Sequence, residues 1–243
     1  MLIFISFLFI LILLVIFFHK NNSKLESFSN YNLNIIQTWK TNQIPNKYKG
    51  LVSQVKRLNP NCNYIFFSDH DIDVFIKNNF PQYQQVFDNF PYTIQKIDFF
   101  RYLAVYYYGG VYLDLDFKVV KTLQNFKNSS QCIFPLEFSR SSDQILHKQG
   151  FKGLIGNYAF YAPKGHPFIK KIIDNIVAHR ISIQLDKETD FRKYVYYTTG
   201  PVMVTQSYID YSPKGNIKII QPFPFKKSSF GNYGQHIQLG TWK

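Results

Sequence analysis

Two carboxylates, Asp114 and Asp116, close the run Gly109-Gly110-Val111-Tyr112-Leu113-Asp114-Leu115-Asp116. Read as an extended segment, the run alternates. Tyr112, Asp114 and Asp116 share one face and Val111, Leu113 and Leu115 the other, so one side is acidic and the other apolar. Carboxylates two apart on a strand lie roughly 7 Å from each other by rise alone. That is too far to share a proton, but it suits bracketing a hydrated divalent cation and the diphosphate it carries. Such hard oxygen ligands favour Mg²⁺ or Mn²⁺.

Positioning falls to the segment before the glycines. Tyr92–Tyr108 has helical spacing: Ile94, Ile97, Asp98, Arg101, Val105 and Tyr108 cluster on about a third of the circumference, and Phe99, Phe100, Leu103 and Ala104 cover most of the rest. A helix apolar nearly all round is buried, so Asp98 and Arg101, three apart, must satisfy each other or engage a ligand. The residues alone leave both options open.

The string Asp98-Phe99-Phe100-Arg101-Tyr102 followed by Gly109–Asp116 resembles the sugar-binding region of the DXD-containing glycosyltransferases of family 32, the group that includes the outer-chain mannosyltransferases. It is also similar to the catalytic domains of the large clostridial glucosylating toxins. The resemblance implies a single α/β domain of GT-A type that uses a nucleotide-sugar donor, GDP- or UDP-hexose, with retention of configuration. It implies that Asp98 and Arg101 hold donor-sugar hydroxyls, that Tyr112 lies beside the nucleotide, and that Asp114 and Asp116 engage metal, ribose and diphosphate.

Further matches extend it. Asn34-Ile35-Ile36-Gln37-Thr38-Trp39-Lys40 is similar to the family's opening motif, with Ile36 where a His is usual, and it places Gln37 and Trp39 near the nucleotide. Gly156-Asn157-Tyr158 resembles the strand whose Asn approaches the donor. His236 and Trp242 match the family's terminal His and Trp, with Thr241 in place of a Ser. On that basis His236 is the third metal ligand, and Trp242 with Tyr112 closes over the nucleotide.

A chain of 243 residues, 46% apolar, can bury one sizeable core. Its net charge of +13, from 28 Lys+Arg against 15 Asp+Glu, favours anionic partners such as nucleotide diphosphates or an acidic membrane surface. Nucleic acid is excluded as a partner because the cations are scattered, with no basic helix or binding motif. Cys62 and Cys132 offer no zinc spacing and read as buried thiols, their pairing open.

Residues 1–18 carry no charge and as a helix would reach about 27 Å, enough to span a bilayer, so they read as an uncleaved single-pass anchor. Residues 19–32 read as a polar tether and 33–243 as the catalytic domain. His19, Lys20 and Lys24 lie C-terminal to the anchor, and membrane orientation stays open.

Within the domain, Asn34–Lys40 and Asn63–Phe67 read as strands, Tyr48–Leu58 as a helix, and the following alternation predicts a mostly parallel sheet with its ligand crevice beyond the strands' carboxyl ends. Phe117–Gly150, carrying Arg140, Asp143, His147 and Lys148, reads as irregular surface. Phe168–His179 and Val202–Tyr211 read as helices, the second introduced by Thr199-Gly200-Pro201, and Ile217–Ile220 as a late strand.

Together these features predict a metal-dependent transferase moving a hexose onto a hydroxyl of a glycan or glycolipid. Three alternatives compete: a non-catalytic relative that only binds sugar nucleotide or glycan, a haloacid-dehalogenase-type phosphatase with a nucleophilic Asp, and a membrane scaffold. The phosphatase needs small residues after its D-x-D and an early position, whereas here Phe117-Lys118 follow at mid-chain.

Overall fold

Strand β1 (Asn34–Thr38) is buried along all five residues and pairs in parallel with β2 (Asn63–Phe67) on one side and β3 (Gly110–Leu113) on the other. The computed structural model describes residues 32–137, 150–151, 153–182, 190–223 and 228–239. The anchor over 1–18, almost all of the 19–32 tether, Trp242, and the loop residues Arg140, Asp143, His147 and Lys148 lie outside the described residues. Among the described residues, no helix is long and apolar enough to cross a membrane.

β7 (Ala159–Ala162) runs antiparallel to β3, β5 (Cys132–Glu137) antiparallel to β7, and β8 (Ile217–Ile220) parallel to β5. β6 (Leu154–Ile155) opposes the far end of β5. Five strands of this seven-stranded sheet therefore run one way and two, β6 and β7, the other. The expected mostly parallel sheet is present, with a reversed pair where βα alternation stops.

Alternation along the strands divides the core. Ile36, Tyr112, Phe134 and Phe160 face a helical layer made by α2 (Asp69–Asn79), α4 (Thr93–Tyr108), α5 (Pro167–Val177) and α7 (Pro201–Asp210). Ile35, Val111, Leu113 and Ile133 face the opposite way, toward α1 (Asn46–Leu58) and a three-stranded sheet of β4 (Phe117–Val119), β10 (Gly234–His236) and β9 (Ser229–Phe230). Two shorter helices among the described residues are α3 (Gln84–Asp88) and α6 (Phe191–Thr198).

The helix over Tyr92–Tyr108 is borne out as α4, and its apolar circumference is explained by burial from Phe99 to Val105. Gly109 and Gly110 end it at φ +68° and +114°. A Cβ on Gly110 would stand 2.3 Å from the Asn34 carbonyl oxygen, so β1 and β3 can approach only across a glycine.

Two expectations need correction. β3 has no acidic face, because it is a central strand covered on both sides and ends at Leu113. Phe117–Gly150 is not irregular throughout. It contains β4 and β5, which the pattern hides because β5 is buried over four consecutive residues and shows no alternation.

Candidate active site

Past the carboxyl end of β3 the chain turns, with the Phe117 N–H donating to the Asp114 carbonyl at 3.0 Å, and runs back as β4. The turn, not a strand face, brings Asp114 and Asp116 together. Their carboxylate oxygens and His236 Nε2 lie within 4.8 Å of one another. Asp116 is clasped by the far end of the chain: Oδ1 lies 2.9 Å from His236 Nε2, Oδ2 accepts from the Leu239 N–H at 2.9 Å, and its carbonyl from the Ile237 N–H at 3.2 Å. His236 Nε2 is 3.8 Å from Asp114 Oδ2, and its ring lies flat on Tyr158 at 4.9 Å and 13°.

Burial alone would lower the His236 pKa, but the hydrogen bond to Asp116 and the carboxylates of Asp114, Asp116 and Glu137 more than offset it, leaving the imidazole above its usual value. Burial would likewise raise Asp116; the His236 hydrogen bond and charge, with the Leu239 N–H, bring it below the usual carboxylate range.

Behind this group lies a buried network. Asp98 and Arg101, 2% and 3% exposed, form the expected pair at 3.0 Å. Arg101 also donates to the Asn157 carbonyl at 2.8 Å and pairs with Asp114 at 3.3 Å, so it joins the network to the carboxylate centre. Asn157 stands in the break between β6 and β7, where its backbone is not committed to the sheet. Its Nδ2 donates to Asp98 at 3.1 Å and to the Tyr102 hydroxyl at 3.0 Å. The Thr199 hydroxyl donates to the other Asp98 oxygen at 3.0 Å, and Tyr102 donates to the Thr199 carbonyl at 3.0 Å.

Burial pushes Asp98 up to about 6 against the opposing effects of Arg101, Thr199 and Asn157. Burial would also favour a neutral guanidine, but Asp114, the tyrosines and Asp98 reverse this and hold Arg101 charged.

Two predicted residues sit elsewhere than expected. Tyr112 is 1% exposed and lies under the Arg101 guanidinium at 4.6 Å, its hydroxyl donating to Asp114 Oδ1 at 3.0 Å. It supports the site from below and cannot close over a ligand here, because β3 is central and Phe160 packs on its ring. Gln37 is wholly enclosed; it donates to the Asp114 carbonyl at 3.2 Å and accepts from the Tyr64 hydroxyl at 3.0 Å, so it braces the turn. Trp39 is half-buried at the end of β1, edge-on to Tyr48 at 5.0 Å, in the same small cluster as Leu115.

The motifs missed Thr199, Tyr158 and Glu137. Thr199 was visible only as part of Thr-Gly-Pro before a helix. Glu137 ends β5 and is pushed up by burial, with His236, Ser228 and Asp114 among its neighbours. No sequence signal marked it, and Tyr158 stood in the matched Gly156-Asn157-Tyr158 run with no role of its own.

The donor set fits a divalent cation. Two carboxylates and an imidazole are hard-to-borderline ligands, and cis and trans positions around an ion with ligands at about 2.1 Å lie roughly 3 to 4.2 Å apart. Separations within 4.8 Å need only small adjustment.

This fold, with its acidic turn after the third strand, agrees with the resemblance to DXD-containing glycosyltransferases. Residues 45–133 match the family described as "Glycosyltransferase sugar-binding region containing DXD motif". The chain is 32% identical over 171 residues to inositol phosphoceramide mannosyltransferase 3 of Schizosaccharomyces pombe, covering 70% of this chain and 43% of the relative. It is 26% identical over 198 residues to a mannosyl phosphorylinositol ceramide synthase of Saccharomyces cerevisiae, covering 79% and 48%. The chain thus spans less than half the length of either. Among solved structures, "PaToxG Glycosyltransferase" superposes with a TM-score of 0.51 at 21% identity, over 80% of this chain and 76% of that one, a likeness of fold. Gln37, Asn157 and His236 all lie outside residues 45–133 and reach the centre only through the tertiary fold.

Proposed function

We propose that this chain is a metal-dependent, retaining hexosyltransferase that moves a sugar from GDP- or UDP-hexose to a hydroxyl of a glycan or glycolipid. The mannosyltransferase names of its relatives favour mannose as the hexose and an inositol-phosphate lipid as the acceptor. The observation that carries the reading is the convergence of Asp114, Asp116 and His236 within 4.8 Å, joined by Arg101 to the buried Asp98.

Asp114, Asp116 and His236 would hold a divalent cation, which would supply positive charge against the diphosphate leaving group. The chain's own part is orientation. Asp98 and Arg101 are locked by their neighbours and fix the sugar hydroxyls in one geometry, so little reorganisation accompanies reaction. Asn157 sets the angle of both. Trp39, half-buried at the end of β1, supplies an aromatic edge for the base. Because the proposed reaction retains configuration without a carboxylate nucleophile named on the sugar's far side, the acceptor hydroxyl attacks from the face the diphosphate leaves.

The test is to incubate the full-length protein with Mn²⁺ and GDP-mannose, UDP-glucose, UDP-galactose or UDP-GlcNAc, and to follow donor cleavage and transfer to an inositol-phosphate sphingolipid. Mn²⁺-dependent cleavage of one donor supports the reading, and cleavage of none overturns it. An inverted anomer in the NMR spectrum of the product refutes retention.

A further inference from the structure

We infer that the outer face of the β4–β10–β9 sheet docks on an anionic lipid surface and so orients the carboxylate centre toward an acceptor standing in the headgroup layer. The inference rests on the reading of a lipid-borne acceptor given above. Register fixes which residues share this face: Lys118 pairs with Gln235, and Phe117 with His236, so the two strands turn Lys118 and Gln235 outward while Phe117 and His236 face the main sheet. Val120 follows with the parity of Lys118. The segment ending at Phe223 is tied across β9 by its N–H, which donates to Ser229 Oγ at 2.7 Å.

Between them lies a groove of about 270 Å³ floored by Gly231 and Gly234. Val120 and Phe223 are 47% and 49% exposed there, although the opposite face of the same sheet buries Phe117, Val119 and Phe230 completely. Lys118 and Lys121 stand exposed at the rim, no acid lines the groove, and neither lysine has an ion-pair partner among the described residues.

This chemistry selects the occupant. A small-molecule pocket needs convergent buried polar groups to fix its ligand, and no polar side chain lining this groove is buried. A bilayer interface needs what is present: half-exposed aromatic and aliphatic groups that enter the headgroup level, and lysines whose stems lie along apolar surface while their charges meet lipid phosphates. Two lysines and one Phe give weak, reversible contact by themselves. They suffice to choose an orientation for a domain that the apolar residues 1–18 would already hold at a membrane. Lys118 follows Asp116 by two residues and Gln235 directly precedes His236, so the docked face and the catalytic groups are separated by the thickness of one strand pair.

Hydrogen exchange on the full-length protein in nanodiscs tests this without donor or turnover, so its outcome is independent of whether transfer occurs. Discs of phosphatidylcholine alone are compared with discs that also contain phosphatidylserine. The expected result is exchange slowed roughly fivefold or more at residues 120–122 and at Gln221 and Phe223 in the anionic discs only, lost in the Lys118→Glu/Lys121→Glu variant while α4 remains as protected as in the parent. Equal exchange in both discs, or slowing that survives the charge reversal, overturns the inference. So does the same slowing produced by soluble inositol phosphate without a bilayer.

Discussion

Around Asp98 and Arg101 nearly every polar atom is bonded to another residue, whereas Asp114, Asp116 and His236 hold one another through one contact at 2.9 Å and one at 3.8 Å. The first region is 0–9% exposed and drawn from α4, the β6–β7 break and the α6–α7 junction. The second is partly open and sits on turns. A network already satisfied resists rearrangement, and a loosely held trio of ligand groups can exchange its internal contacts for an ion. Changes in the first region should therefore cost stability as well as turnover, and changes in the second chiefly turnover.

The largest effect is expected inside. Arg101→Met leaves Asp98 and Asp114 without their shared cation and Asp98 uncompensated in the core, which should cost about 3–5 kcal/mol of folding free energy. Urea unfolding measures it, and a loss under 1 kcal/mol would break the distinction between the regions. Asp116→Asn is the counterpart. It should cost less stability than the Arg101 change, about 1–2 kcal/mol for the weakened bond to His236, while reducing Mn²⁺-dependent donor cleavage by about 10²–10³-fold. Near-parental rates in this variant would remove Asp116 from the metal centre.

Thr199 tests the boundary. Thr199→Val keeps the shape and removes one donor to Asp98, so about 1–3 kcal/mol of stability should be lost, visible in the same unfolding experiment. The carboxyl of Asp98 should then titrate higher still.

These assignments differ in how far the sequence revealed them. Asp98, Arg101, Asp114 and Asp116 were legible because helical and strand periodicities made charged residues conspicuous in apolar runs. For Asp116 the expected strand geometry was wrong, since a two-residue period cannot announce that a strand stops at Leu113 and a turn begins. Tyr112 and Gln37 were read as facing a ligand because burial on both sides of a central sheet leaves no mark at single positions. Thr199 and Glu137 were invisible in role because their partners lie 101 residues away, for Thr199, or on β10, for Glu137. The α4 helix and β1, β2 and β8 were the easiest, each being a continuous local pattern.

His236 gives the open region a pH signature. Its folded pKa is raised above 6.5, so in the metal-free protein its contribution to stability is fully present below pH 6.5 and is lost as pH rises through the folded value. Metal binding runs the other way, because only the neutral imidazole is a ligand. Mn²⁺ affinity should fall about tenfold per pH unit below that raised pKa. Titration calorimetry between about pH 5.5 and 8, where an imidazole changes charge, reads it. His236→Gln should flatten the profile, and an unchanged slope would show that the imidazole takes no part.

The smallest expected effect is also the sharpest test of where one region ends. Tyr158 is 4% exposed, its ring stacked on His236, and its hydroxyl is buried without a hydrogen-bond partner among the described residues. Burial, with the nearby Glu137 and Asp114 charges, keeps that hydroxyl protonated. If Tyr158 serves only as a flat support for the imidazole, the hydroxyl is dispensable. Tyr158→Phe should then leave Mn²⁺ affinity within about twofold and hold or raise stability by up to about 1 kcal/mol, since an unpaired buried hydroxyl is removed and no bond is broken. Tyr158→Ala, which also removes the stacked ring, should weaken metal binding. Should the Phe variant instead lose tenfold in metal affinity, the hydroxyl would belong to the open centre, and the line between satisfied network and exchangeable ligands would move one residue deeper into the β6–β7 break.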